Sequence, residues 1–420
     1  MSCCRQCFVL EVNFIEAGKL SANILRNDRR MCRVPEDPEG LRISEDRGVE
    51  MLFPLEPSSH LPDPNSSPLG QEYVINDAGQ VSPIHSASTP GGSGSAGHGG
   101  GSTPTPSSTP SPYLVTAKGS NLQIDLIWDS SVAHAPSGFT TAVIDAALFY
   151  VTNFTSSTGG KTVLYIDVGY GEIAGTSLAA NALGESESNG YLTNYATVTH
   201  ALTADGYSFS ATNEPTGSQF FVTSAQAKSL GLISGTNGSA SSVDGYIGFS
   251  TLTGTGYSWN TYANPNGSNT GTTSLQFDLQ AVVEHELSEV MGRIGMEGQV
   301  INGKATYTPL DLFNYASYNT STHTGVLELS GHGGYFSTNG GATKMGVFNN
   351  SSSYGGDIAD WASYSSITQS GTLPVGAASN VSDAYNAFLA PAVNGLVTTD
   401  DILVDASLGY KLTTAGAVLA

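Results

Sequence analysis

The chain has 420 residues, a formal net charge of −21 and four cysteines. That length allows one large domain or two smaller ones. The acidic balance excludes nucleic acid and anionic membrane surfaces as partners, because both require clustered Lys and Arg. No run of about 18 apolar residues occurs, so no membrane insertion is expected.

In chain order, residues 1–85 show little periodicity and many prolines and read as an N-terminal arm expected to be disordered. All four cysteines fall there (Cys3, Cys4, Cys7 and Cys32), so no disulfide can brace the rest of the chain. Cys4 and Cys7 have the spacing of half a zinc knuckle or of a redox pair. Without a second half, the spacing reads as chance. Residues 86–112 are almost entirely Ser, Thr, Pro and Gly, a linker composition that buries too little apolar surface to fold. The folded part is expected over 113–420. It has seven Lys and Arg against twenty-three Asp and Glu, and a single arginine, Arg293. Such an acidic surface suits a secreted protein, although no charged, apolar and small-residue leader opens the chain.

Within 113–420, Leu122, Ile124, Leu126 and Trp128 alternate with polar residues and predict a strand. Phe139, Val143, Ala147, Tyr150 and Phe154 recur at helical spacing behind Ser137, a candidate cap. An apolar run over 163–168 predicts a second strand. Strand, helix and strand with short joins imply a parallel crossover. A weaker helix is expected around 192–202, with short strands at 219–222 and 245–249. The fold class is α/β with an α+β tendency: a twisted mixed sheet, few helices and a loop-rich C-terminal part.

Leu279, Val283, Leu287, Val290 and Ile294 sit at offsets 0, 4, 8, 11 and 15, one narrow apolar stripe on a helix. His285 and Glu289, four apart, stack on a different face. Their neighbours there are small (Ala281, Ser288 and Gly292), which predicts a helix lining a cleft. His285-Glu286-Leu287-Ser288-Glu289 matches the zinc-peptidase pattern H-E-x-x-H except at its last position. In that pattern the first and last residues grip the metal and the second reaches the activated water. Glu289 is an acceptable substitute for the second imidazole, and Glu286 is the candidate general base. Without a metal, the same five residues would be an ordinary solvated helix face.

The wider sequence adds a resemblance. Ile166-Asp167-Val168-Gly169-Tyr170-Gly171-Glu172, Leu183-Gly184-Glu185-Ser186, Glu284 through Arg293, Thr308-Pro309-Leu310-Asp311-Leu312-Phe313 and Asp360-Trp361 follow one another in this order. Together they resemble a family of bacterial secreted metallopeptidases, distantly metzincin-like. Metzincins extend the motif to H-E-x-x-H-x-x-G-x-x-H. Gly292 matches the glycine, but Gly295 stands where the third ligand would be. Leishmanolysin-like enzymes take that ligand from a distant His before a Trp. The resemblance therefore implies Asp360, beside Trp361, as the third ligand, with Asp311 as the rival or as support behind the ligands. It implies one Zn²⁺, or a harder divalent ion given two carboxylate ligands, and a peptide or protein substrate. Arg293 is expected to pair with a carboxylate near the site. The strand over 163–168 is either a sheet edge that pairs with extended peptide or an interior strand. His323 and His332, in Gly/Ser/Thr-rich loop sequence, are expected in solvent, and His134 and His200 show no partner spacing. The resulting expectation is a metal-dependent endopeptidase. The alternative is a non-catalytic relative that keeps the fold and binds a metal or a surface.

Overall fold

A computed structural model describes residues 7–9, 72–75, 81–83 and 109–419, apart from 180, 210–213, 216, 263–270, 351–355 and 363–381. Most of the arm and linker, with Cys3, Cys4 and Cys32, lies outside the described residues. The main sheet has eleven strands. They are β1 (Cys7–Val9), β2 (Glu72–Ile75), β3 (Val81–Pro83), β4 (Tyr113–Thr116), β5 (Leu122–Trp128), β6 (Thr162–Tyr170), β7 (Ala182–Thr193), β8 (Gln219–Thr223), β9 (Gly245–Phe249), β10 (Gln299–Ile301) and β11 (Lys304–Tyr307). Helices are few, as expected for a mixed α/β chain of this kind.

β5 alternates as read from sequence, with Leu122, Ile124, Leu126 and Trp128 all buried. It pairs in parallel with β6, from Leu122 opposite Thr162 to Trp128 opposite Val168. Helix α1 (Phe139–Asn153) joins the two. Ser137 does not cap it. The cap position is Gly138 at φ 88°, where no side chain bonds the helix, and an added Cβ would lie 2.6 Å from Thr261 Oγ1. The weaker helix runs Tyr195–Ala204, because Leu192 continues β7 and Asn194 caps the helix through Thr197 N–H at 2.9 Å.

β6 is an interior strand, since β9 pairs in parallel along its other side. Of the two readings of 163–168, the sheet edge is thereby corrected and the interior strand holds: Val163, Leu164, Ile166 and Val168 are buried in a strand with neighbours on both sides, although Asp167 interrupts the apolar run. The sheet divides instead at β7. Ser188 pairs with both β9 and β2, so these lie on opposite edges of β7. Beyond Ser188, β8 takes over the edge that β9 leaves, from Gly190 to Thr193. Short β1 and β2 lie along the other edge.

Helix α2 (Leu279–Val290) packs across β7 and β9 and beside α1. Its cap is Asp278, whose side chain accepts from Ala281 N–H at 3.4 Å and from Gly395 N–H at 3.1 Å. The cleft expectation fails here, because every residue of α2 is buried, on the polar face as well as the apolar one. Leu279, Val283, Leu287 and Val290 face the core as predicted, but Ile294 lies beyond the helix end and joins a separate apolar cluster with Phe221 and Met296. The opposite face is covered by the loop-rich C-terminal part, whose side chains the helix sequence alone could not supply. That part includes bridges from Phe348 to Trp361 and from Trp361 to Asn386. It includes helix α3 (Thr399–Ser407), which opens with a capping box between Thr398 and Asp401. Among the described residues, no helix is long and apolar enough to cross a membrane.

Candidate metal centre

His285, Glu289 and Asp360 come together. One ligand atom from each lies within 4.8 Å of the others, and all three residues are buried. His285 and Glu289 meet because they are four apart on α2. Asp360 arrives from 75 residues later in the chain. Trp361 fixes its position: Trp361 N–H donates to Tyr385 O at 2.9 Å, and its indole N–H donates to Asp401 Oδ1 at 2.5 Å. Phe348 stacks on the indole, with ring centroids 5.0 Å apart.

The imidazole is oriented from behind. Its Nδ1 lies 2.9 Å from Ala384 O. A carbonyl only accepts, so Nδ1 carries the proton and, in the neutral ring, Nε2 presents a lone pair. That Nε2 faces Glu289 Oε1 and Asp360 Oδ1, each at 3.2 Å. A lone pair aimed at two carboxylate oxygens is repulsive unless a second proton or a metal ion sits between them. Burial and Arg293 push the imidazole pKa down, but Asp360 and Glu289 outweigh them and raise it. Burial raises the Asp360 carboxyl, and His285 and Arg293 more than reverse this, leaving it below the usual carboxylate range. Asp360 Oδ2 is buried with no hydrogen-bond partner, an arrangement that suits a cation ligand.

Arg293 is brought beside these groups as expected. Gly292, at φ 123°, ends the helix and turns the chain, and Arg293 N–H closes onto Ser288 O at 2.9 Å. The guanidinium donates to Asp360 Oδ1 at 2.6 Å, Glu289 Oε1 at 3.3 Å and Ser288 Oγ at 2.7 Å. Its face covers the Tyr385 ring at 4.4 Å. The two ligand carboxylates and the arginine leave one net negative charge, which an imidazolium or a divalent ion would offset.

Glu286 is fully buried and points toward β7, where a Cβ on Gly184 would meet its Oε1 at 2.5 Å. The glycine is therefore what lets the helix sit this close to the strand. Asp311 does not join the metal group. Its Oδ2 accepts from the backbone N–H groups of Thr308, Glu297 and Met296 at 2.8, 3.1 and 3.2 Å. It pins the turn after α2, the supporting role that had been the alternative to ligation. Its carboxyl is raised by burial, partly offset by those three donors.

No family model, curated protein or solved structure matches this chain. The site therefore rests on its own geometry.

His323 and His332 are exposed, as expected, and so are His134 and His200. Sequence reasoning missed four contributors. Ser186 donates to Glu289 Oε2 at 2.6 Å; it stood in the Leu183–Ser186 segment of the resemblance, with no role given to it. Ala384 acts through its backbone, which no side-chain pattern announces. Tyr385 floors the site edge-on to His285 at 6.3 Å, and its hydroxyl donates to Asp405 Oδ2 at 2.7 Å. Asp357 is buried nearby, and burial, with Asp360 and Glu289, holds its carboxyl well above the usual range.

Proposed function

We propose that residues 113–420 form a metal-dependent endopeptidase domain, distantly metzincin-like, with His285, Glu289 and Asp360 holding one ion and Glu286 as general base. The observation that carries this reading is His285 Nε2, held by the Nδ1 contact to Ala384 O and facing two carboxylate oxygens at 3.2 Å. In metal sites a ligating imidazole usually donates its other ring N–H to a carbonyl or carboxylate, which fixes the tautomer and the ring's orientation. The donor set of one nitrogen and two oxygens fits Zn²⁺ and also tolerates a harder ion such as Mn²⁺. Further support for the leishmanolysin-like third position is that the carboxylate preceding Trp361 meets the helix pair although it is distant in sequence.

The bound ion would supply Lewis acidity toward a scissile carbonyl and lower the pKa of a water. Glu286 would take that water's proton and hand it to the leaving amine nitrogen. Ser186 and Arg293 hold the Glu289 and Asp360 carboxylates in place. Ala384 O keeps the imidazole in the ligating tautomer. Trp361, anchored on Asp401, keeps the Asp360 loop against the helix.

The test is metal analysis of the purified full chain beside a casein assay. Stoichiometric metal with cleavage is expected, and Glu286→Gln should keep the metal but lose about 10²–10⁴-fold in turnover. Absence of metal would overturn the reading. A second reading is a non-catalytic, metal-binding relative. It is favoured by one observation: His285, Glu286, Glu289 and Asp360 are each no more than 1% exposed. Metal without cleavage would decide for it.

A further inference from the structure

Arg293 is the largest of the fully buried side chains and the domain's one arginine. A charged group at that depth is costly unless it is fully paired. It is paired with the same two atoms that define the candidate ion position. Asp360 Oδ1 and Glu289 Oε1 each lie 3.2 Å from His285 Nε2, and each also accepts from the guanidinium, at 2.6 and 3.3 Å. The rest of the group is locked. Its Nε–H donates to Ser288 Oγ at 2.7 Å, and Nη1 also donates to Ala359 O at 3.2 Å. The planar face rests on Tyr385. A planar, two-pronged donor can bridge two carboxylates in a way an ammonium cannot. The guanidinium thus fills the electrostatic role of an ion without occupying the imidazole's coordination position.

We infer that Arg293 is a resident counter-ion of the metal centre, keeping Glu289 and Asp360 assembled when no metal is bound and weakening the site's hold on a divalent ion. This rests on the metal reading above. Two consequences follow from charge alone. Removing the guanidinium leaves two buried carboxylates facing one another, so the metal-free protein is destabilised. The same removal takes a positive charge from beside the ion's ligands, so a divalent cation binds more tightly, by roughly tenfold or more. Loss of preorganisation acts the other way, but Ser186, Ala384 and Trp361 still hold Glu289, His285 and the Asp360 loop.

The experiment compares the full-length wild type with Arg293→Met and Arg293→Lys. Zn²⁺ affinity is measured by competition with a chromophoric chelator, and melting is followed in EDTA and in Zn²⁺. Arg293→Met is expected to melt lower than wild type in EDTA, to bind Zn²⁺ at least about tenfold more tightly, and to gain more from Zn²⁺ in the melt. Arg293→Lys should fall between the two. If wild type binds Zn²⁺ and Arg293→Met binds it equally or more weakly, the inference is overturned while the metal reading stands. If neither binds Zn²⁺, the metal reading falls and takes the inference with it. Zn²⁺ binding by the variant alone supports the inference in its strongest form. Should Arg293→Met fail to fold in either condition, Arg293→Gln, which also removes the charge, decides: affinity no tighter than wild type overturns the inference.

Discussion

Among the described residues there are two buried ionic clusters, and they differ in whether their charges close. Lys228 donates to Asp244 Oδ2 at 2.5 Å and to Val163 O at 2.9 Å, and the same Asp244 oxygen accepts from Tyr165 N–H at 2.8 Å. One positive charge meets one negative charge, and the ammonium rests near the Tyr165 ring at 5.0 Å. The cluster around His285 has two carboxylates, one guanidinium, an imidazole nitrogen aimed at oxygen, and the unpartnered Asp360 Oδ2. A closed pair ties β6 to neighbouring elements. An open set with two buried carboxylates could hold a cation.

The sharpest way to break the comparison is to remove one acid from the open cluster and one base from the closed one. Asp360→Ala should abolish tight Zn²⁺ binding and remove any Zn²⁺-dependent rise in melting temperature. Lys228→Met should cost about 3–5 kcal/mol, because it strands Asp244 in the interior, yet leave Zn²⁺ affinity unchanged. Chelator competition and denaturant melts read both. Zn²⁺ affinity lost in Lys228→Met as well would mean the clusters are not independent.

Asp311→Ala sharpens the distinction between ligand and support. Three backbone N–H groups lose their acceptor, so a stability loss of about 1–3 kcal/mol is expected. Zn²⁺ affinity should fall no more than about 10–100-fold. A metal-free Asp311→Ala protein beside a metal-loaded Asp360→Ala protein would reverse the two assignments.

Gly184→Ala probes the approach of α2 to β7. The new methyl would meet Glu286 Oε1 at 2.5 Å and Val282 Cγ1 at 2.8 Å. Overpacking of this kind costs about 1–3 kcal/mol, and Glu286 is the side chain pushed, so turnover should suffer more than Zn²⁺ binding. Equal losses in both would place the strain elsewhere.

The pH dependence of the metal-free chain gives the mildest test. Burial raises the Asp405 carboxyl to about 8, although its hydrogen bond from Tyr385 and the charge of Arg293 oppose this. The group is neutral in the fold and ionised in the unfolded chain above about pH 4. Its contribution is full below that value and declines until about pH 8. His285 is raised from 6.5, so its contribution is present below 6.5 and is lost as pH rises through the folded value. Both act in one direction. In EDTA, the melting temperature should fall between pH 5 and pH 8, as the unfolding free energy drops by up to about 1.4 kcal/mol per pH unit per proton. Zn²⁺ should flatten or reverse that trend, since ligation needs the neutral imidazole. A metal-free protein that gains stability over the same range would contradict the assignment of these two groups.

The parts legible in sequence were those set by local periodicity. Alternation in 122–128 gave β5, the spacing from Phe139 gave α1, and the stripe from Leu279 gave α2 with its register, so His285 and Glu289 stack as read. The candidate ligand group came from motif spacing and, for Asp360, from a resemblance. Geometry brings these three residues together.

What the sequence alone determined is therefore the pairing of residues within single elements, because backbone geometry fixes those distances whatever surrounds them. Tertiary structure decided everything that depends on what packs across. The polar residues of α2 are buried because the C-terminal part closes over His285 while β7 packs against Glu286 and Glu289. The strand over 163–168 is interior because β9 pairs along its second side. Asp311 serves a turn because three N–H groups converge on it. The imidazole's tautomer is set by Ala384 O, a backbone atom 99 residues away. Such contacts are made between segments whose sequences carry no mark of one another, and only the folded chain brings them within hydrogen-bonding range.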